Sequence, residues 1–289
     1  MCVGIAERDL PGAAVVMRTY ASIGETRDPD MIMWYTDFRS DLDVTSLLAL
    51  PPRLTPVITW EPFDSSGGTE QPDFRLDKIL SGSFDSYIEK WARDVSSVGR
   101  RVFVRFAHEQ NGDWYPWSEQ RNGNRAGDYV RTWRHVQAIF DRVGVDNVEW
   151  MWSPNVDYEG ATALADVYPG DSAVDVVGID GYNWGTSQPG KSWQIPAEVF
   201  EATVNQVHDL SDRPIILSEV GSTELGGDKA TWIKQLGHYF EQTPEITGFI
   251  WFDYNKETDW RIASSEASRA AFLQVLAALP RSCPTGVSN

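Results

Sequence analysis

Eight stretches with strand chemistry recur along this chain, and most of the later ones are followed by a stretch with helical periodicity. The strand candidates are 13–20 (AAVVMRTY), 31–38, 54–63, 101–108, 148–155, 173–184, 214–220 and 246–253. Apolar residues recur at three and four over 83–98 (Phe84, Tyr87, Ile88, Trp91, Ala92, Val95) and over 128–143 (Val130, Trp133, Val136, Ile139, Phe140). Further helices are predicted over 197–210, 229–241 and 265–279, and a short one near 44–50 that Pro51-Pro52 stops. Strands alternating with helices dictate a parallel sheet, because a parallel neighbour is reached only by a crossover. Eight such units in 289 residues predict an α/β protein, a closed (β/α)8 TIM barrel, which takes about 250 residues.

No linker or composition shift divides the chain, so residues 1–289 read as a single domain. Residues 1–12 carry no pattern and are expected to be an N-terminal extension, with 280–289 a C-terminal tail. A barrel strand is apolar where it fills the core and carries chemistry only at its C-terminal end. Here the strand candidates end in Tyr20, Asp37, Trp60-Glu61, His108-Glu109, Asn155, Asp180 to Tyr182, Glu219, and Trp251 to Asp253. One polar strand end is a cap; eight in sequence order describe a site.

The chemistry left open is narrow. There is no GxSxG, GxGxxG or phosphate-binding loop. His108-Glu109 begins like a zinc-protease HExxH, but Gly112 stands where the second histidine belongs, and His135, His208 and His238 fall on predicted helices. No metal site and no cofactor are expected. The formal net charge of −17 repels nucleic acid and anionic membrane surfaces, and an uncharged polymer is the substrate such a surface tolerates. Thirteen Trp exceed the twelve Phe, and indole faces suit stacking on sugar C–H surfaces. Trp91 and Trp133, on helix faces, are expected in the core; Trp114 and Trp251, after strand ends, are expected to face solvent.

Two apolar runs each end in a glutamate, Glu109 and Glu219. From the fourth and seventh strands of a small barrel they can approach about 5–5.5 Å, the separation for retaining glycoside hydrolysis. Glu109 is then the acid, its pKa raised by aromatic neighbours and by the second carboxylate, and Glu219 the ionised nucleophile, with Tyr182 a candidate donor to it. The competing readings are an ion pair of Glu109 with Arg105 and a helix-capping role for Glu219.

The ordered segments RFAHEQNGDWYPW, VEWMWSPN, VDVVGIDGYNWG, LSEVGS and IWFDYNKETDWRI resemble glycoside hydrolase family 26, over about Thr55 to Ile262. The resemblance implies a retaining (β/α)8 glycosidase with Glu109 as acid/base and Glu219 as nucleophile. It further implies that His108 supports the acid/base, Tyr182 contacts the nucleophile, Trp114 is a platform beyond the cleavage point and Trp251 stacks under the sugar being cleaved. Trp60, Glu61 and Asn155 complete the expected substrate contacts. Mannanases of the family carry a substrate-binding His after the third strand; this chain has Trp60-Glu61-Pro62 there, and no His precedes His108. That departure resembles the glucan-cleaving branch.

The expectation is therefore a monomeric endo-β-glycanase acting on a β-glucan with 1,3 and 1,4 links. The alternatives are a β-1,4-mannanase and, in another class, a non-catalytic carbohydrate-binding barrel. Glu61 is expected to accept hydrogen bonds from substrate, against the alternative that it pairs with an Arg or Lys. No apolar run approaches the ~18 residues of a membrane span. The first residues lack the layout of a signal peptide, although the expected substrate implies secretion. Cys2 and Cys283 could form a disulfide or remain two thiols.

Overall fold

A computed structural model describes residues 1–7, 28–281 and 283. Eight parallel strands close into a barrel in sequence order: β1 (Cys2–Ala6), β2 (Met31–Asp37), β3 (Thr55–Glu61), β4 (Val102–Phe106), β5 (Val148–Trp152), β6 (Val176–Asn183), β7 (Ile215–Ser222) and β8 (Ile246–Phe252). β8 returns to pair with β1 along the register Cys2↔Gly248 to Ala6↔Phe252. The described helices are α1 (Val44–Ala49), α2 (Leu76–Leu80), α3 (Asp85–Ser97), α4 (Asp128–Val143), α5 (Leu164–Val167), α6 (Pro196–Leu210), α7 (Lys229–Gln242) and α8 (Glu266–Ala278). The molecule is a (β/α)8 barrel.

One strand differs from the sequence reading. The run 13–20 and its Tyr20 lie outside the described residues, and the first barrel strand is Cys2–Ala6, inside the stretch expected to be an extension. All five of its residues are buried, so it shows no polar alternation to read. Gly4 lets it fit: a Cβ there would come within 2.9 Å of the Ile250 side chain. The tail is anchored as well, because Cys2 and Cys283 are joined by a disulfide with Cα atoms 4.4 Å apart.

The period of two along each strand divides the apolar residues into two cores. Met31, Met33, Val57, Phe103, Met151, Val176, Ile216 and Ile250 fill the barrel. Trp34, Ile58, Trp60, Val104, Phe106, Trp152, Leu217 and Trp251 point the other way, into the shell between strands and helices. There Trp60 stacks on Trp91 of α3 with ring centroids 4.2 Å apart, and Trp251 meets Trp232 of α7 and Phe272 of α8 edge to face.

Two expected substrate contacts are thereby removed. Trp60 and Trp251 are both 0% exposed, and the Trp251 indole N–H donates to the Trp260 carbonyl at 2.9 Å. Each stands next to a residue whose side chain enters the barrel, Glu61 and Ile250 respectively, so strand alternation turns it outward. Trp251→Ala is expected to lower stability by about 3–5 kcal/mol, as for any large core aromatic. Trp114→Ala, at a partly exposed position, should leave the melting temperature nearly unchanged while weakening polysaccharide binding. Thermal denaturation of the two variants beside affinity electrophoresis separates the roles; equal loss of stability would contradict this placement.

Candidate active site

Above the apolar layers the barrel lining turns polar. Tyr35 comes from β2, Thr59 and Glu61 from β3, Arg105 from β4, Asp180 and Tyr182 from β6, and Ser218 and Glu219 from β7. Glu109 lies just beyond β4, where Ala107 and Glu109 take positive φ of 46° and 51°. Left-handed backbone costs a non-glycine residue on the order of 1–3 kcal/mol and persists only when its surroundings fix it. Here the Ala107 N–H donates to the Trp60 carbonyl at 3.0 Å and the Glu109 N–H to the Ser153 carbonyl at 2.7 Å. The strand is thus tied to both neighbours as it breaks.

The aromatics that follow fold back on this turn. The Trp117 indole donates to the His108 carbonyl at 2.7 Å, and Tyr115 stacks on Trp117 with centroids 4.2 Å apart. Tyr115 Oη lies 3.1 Å from His108 Nε2, and burial, then Arg105 and Lys256, hold the His108 imidazole well below its ordinary pKa, so the ring is neutral. Trp114 Nε1 donates to Glu109 Oε2 at 2.7 Å. Gly112 makes room for that ring, since a Cβ there would lie 2.5 Å from Trp114 Cζ2.

The two predicted glutamates come together. Glu109, Asp180 and Glu219 each offer a carboxylate oxygen, and these lie within 4.8 Å of one another. Their surroundings separate them. Glu219 Oε1 accepts from Tyr35 Oη at 2.7 Å and is ion-paired with Arg105 Nη1 at 2.8 Å, and Oε2 accepts from the Tyr182 hydroxyl. Two phenol hydroxyls and a buried guanidinium thus surround Glu219. Among the described residues Glu109 has a single neutral donor, Trp114; burial, then the charge of Glu219, push its carboxyl up to about 7. Two carboxyls in such unlike surroundings, one buried with its pKa raised and one paired with a guanidinium, are what an acid and a nucleophile need to share a site.

Arg105 settles a competing reading in an unexpected way. Its guanidinium, 0% exposed, bridges Glu219 and Asp180 instead of Glu109, with Nη1 also 2.9 Å from Thr59 Oγ1. Asp180 accepts in addition from Ser218 Oγ at 2.6 Å. Because this cation already occupies the space between the carboxylates, a metal ion there would face it directly; the donor set does not fit one. Asn155 stands half-buried at the mouth, its backbone clamped by the Asn111 side chain, which accepts from the Asn155 N–H and donates to its carbonyl at 2.9 Å each.

Glu61 departs from expectation. It is 8% exposed, and among the described residues its carboxylate makes no hydrogen bond or ion pair, so neither an Arg nor a Lys satisfies it. Burial pushes it up to about 8; Arg105 opposes the shift, while Glu219 and Asp37 add to it. At neutral pH Glu61 is therefore a carboxylic acid with an O–H to donate, where the sequence suggested an acceptor only. A carboxyl whose pKa is raised on folding contributes stability that is complete below about 4.5 and lost as pH rises through about 8. Glu61→Gln should thus match the wild type in melting temperature at pH 4 and exceed it by roughly 5 °C at pH 8. No difference at pH 8 would show that the wild-type carboxyl ionises freely.

Tyr35 and Tyr115 were not singled out from sequence; Asp180 was named only as a polar strand end and Arg105 only as a rival partner for Glu109. Arg105 carried a signal: it is a charge inside an apolar strand, on the same face as Phe103. Tyr35 carried none beyond its parity with Met31 and Met33.

The comparisons with known proteins agree with this geometry. The family model described as glycosyl hydrolase family 26 matches residues 64–223, more than half of the chain. Endoglucanase H of Acetivibrio thermocellus is 38% identical over 229 residues, which is 77% of this chain and 24% of that protein. A mannan endo-1,4-beta-mannosidase of Bacillus subtilis is 30% identical over 113 residues, 37% of this chain and 29% of that protein. The chain thus spans under a third of the length of these relatives. Among solved structures, a GH26 beta-mannanase from Bacteroides ovatus superposes with a TM-score of 0.67 at 17% identity, covering 96% of this chain and 88% of that one, and shares the fold. The chain belongs to glycosyl hydrolase family 26.

Proposed function

We propose that this barrel is an endo-acting, retaining β-glycanase that cleaves a β-glucan containing 1,3 and 1,4 links. The observation that carries the chemistry is the unlike pair Glu109 and Glu219, one with its carboxyl pushed up by burial and one paired with Arg105, with oxygens within 4.8 Å. Glu109 protonates the leaving oxygen through Oε1, since Oε2 is held by Trp114. Glu219 attacks the anomeric carbon and forms a covalent glycosyl-enzyme, which water then releases with Glu109 as base. Because Glu109 must start protonated, kcat/KM falls as pH rises through about 7. Early-time proton NMR should show the β anomer first, since two inversions restore configuration.

The choice of glucan is supported by the 38% identity to a protein named as an endoglucanase and by Glu61 at the place where mannanases of the family carry a histidine. Glucose and mannose differ in the orientation of the 2-hydroxyl, and a site built to pair a hydroxyl rejects the epimer by orders of magnitude. The test is kcat/KM on barley glucan, lichenan, cellulose, galactomannan and β-1,3-xylan, read by reducing ends. Faster cleavage of mixed-linkage glucan is expected; faster cleavage of galactomannan would favour the second reading, a β-1,4-mannanase, to which relatives at about 30% identity point. No turnover on any of them would favour the binding barrel. We further place the barrel outside the cytoplasm, which the Cys2–Cys283 disulfide supports.

A further inference from the structure

Lys229 is the first residue of α7 and is 0% exposed. That is a poor place for an ammonium on helical grounds, because the helix dipole puts its positive end there. The helix does not need it either: Asp228 caps the end by accepting from the Thr231 N–H. The desolvated charge is satisfied by another element. Nζ donates to the carbonyls of Arg261 at 2.7 Å, Trp260 at 3.2 Å and Asp259 at 3.3 Å, and to Ser264 Oγ at 2.9 Å. Ser264 in turn donates to Glu224 in the loop after β7. A single buried cation therefore gathers the loop that follows β8.

That loop delivers a ring to the site. Trp260 is 1% exposed, with centroids 4.8 Å from Tyr182 and 4.9 Å from Trp184. The Trp260 and Tyr182 rings share the bare backbone of Gly221, where a Cβ would lie 2.9 Å from Tyr182 Cδ1 and 3.2 Å from Trp260 Cε3. Tyr182 then donates its hydroxyl to Glu219, two residues before Gly221. We propose that Lys229 is a positioning residue for Glu219: by holding the carbonyls of 259–261 it seats Trp260 against Tyr182 and so keeps the Tyr182 phenol on the nucleophile. The inference rests on the retaining reading given above and adds to it a group that touches neither substrate nor carboxylate.

The coupling is tested by a double-mutant cycle. Lys229→Met keeps the length of the side chain and removes its donors. In the wild-type background it should lower kcat about tenfold with KM within twofold, rates being referred to folded protein by near-ultraviolet dichroism. In a Tyr182→Phe background, which has no phenol to position, the same change should cost less than twofold. Equal losses in both backgrounds, or none in either, would overturn the proposal. Should Lys229→Met fail to fold, Trp260→Leu removes the ring between loop and tyrosine without stranding a charge, and the same non-additivity is expected of it. Crystal structures of wild type and variant form an arm independent of turnover: Tyr182 Oη should leave Glu219 in the variant, and an unmoved Tyr182 would refute the coupling. If the wild type cleaves no polysaccharide, the glycanase reading falls while this arm still decides the positioning role.

Discussion

Glu219→Ala is expected to lower kcat on a polysaccharide by about four to six powers of ten, the loss seen when a residue that forms the covalent intermediate is removed. Azide should restore turnover by entering the space left by the carboxylate, and the product should be the α-glycosyl azide, from one inversion. Glu109→Ala should behave differently. With an aryl leaving group that needs no proton, glycosylation survives, the glycosyl-enzyme accumulates, and azide yields the β-glycosyl azide after two inversions. The asymmetry follows from the environments: two phenols and the Arg105 guanidinium around Glu219, and on Glu109 burial with the Trp114 indole. Product stereochemistry by NMR, with initial rates on polysaccharide and aryl glycoside, checks both. The same azide anomer from the two variants would show that the roles of acid and nucleophile are not divided in this way.

Arg105→Met is expected to be the most destabilising single change in the barrel lining. The guanidinium binds Asp180 and Glu219 at zero exposure, and removing it leaves two buried carboxylates facing each other. Breaking a buried pair from one side costs about 3–5 kcal/mol, because the remaining charge is neither paired nor hydrated. At about 2–4 °C per kcal/mol in a chain of this size, the melting temperature should fall by roughly 6–20 °C. The deficit should shrink at low pH, since protonating Asp180 removes uncompensated charge, and Asp180→Asn in the same chain should recover part of it at pH 7. Arg105→Lys keeps a charge but not the planar fork, so it should lie between. Scanning calorimetry at pH 4 and pH 7 gives the comparison. A melting point independent of Arg105 would mean that the carboxylates find other partners.

Six of the eight described helices and seven of the eight strands could be read from the sequence because each signal was local, whereas α2 and α5, of five and four residues, are too short to show a period. Gly127 and Gly144, both left-handed, bracket α4 at the predicted limits, and each strand from β2 onward lies within its predicted run or extends it by at most two residues. β1 was missed because five wholly buried residues have no polar face to alternate with, and its identity comes from partners far along the chain. At the site, strand-end position identified Glu109 and Glu219, but position alone could not tell which way a side chain turns. Trp60 and Trp251 were misplaced for that reason. Their parity was available: Val57, Thr59 and Glu61 share one face of β3, which puts Trp60 on the other. Protonation was less accessible. That Glu61 is a neutral acid depends on its burial without a hydrogen-bond partner among the described residues, which no spacing along the chain can show.

Closure of the barrel through β1 and β8 also has a temporal side. β1 can find β2 as soon as Met31–Asp37 has been made, but its other edge waits for Ile246–Phe252, near the far end of the chain. At about 5–20 residues synthesised per second, that edge stays open for roughly 10–50 s. The disulfide waits longer still, because Cys283 follows β8 and the last helix. A nascent chain truncated before Ile246 would therefore carry two unpaired strand borders, on β1 and on β7. Ring closure and oxidation become the last steps in assembling the barrel itself, locking a cylinder whose walls were already standing.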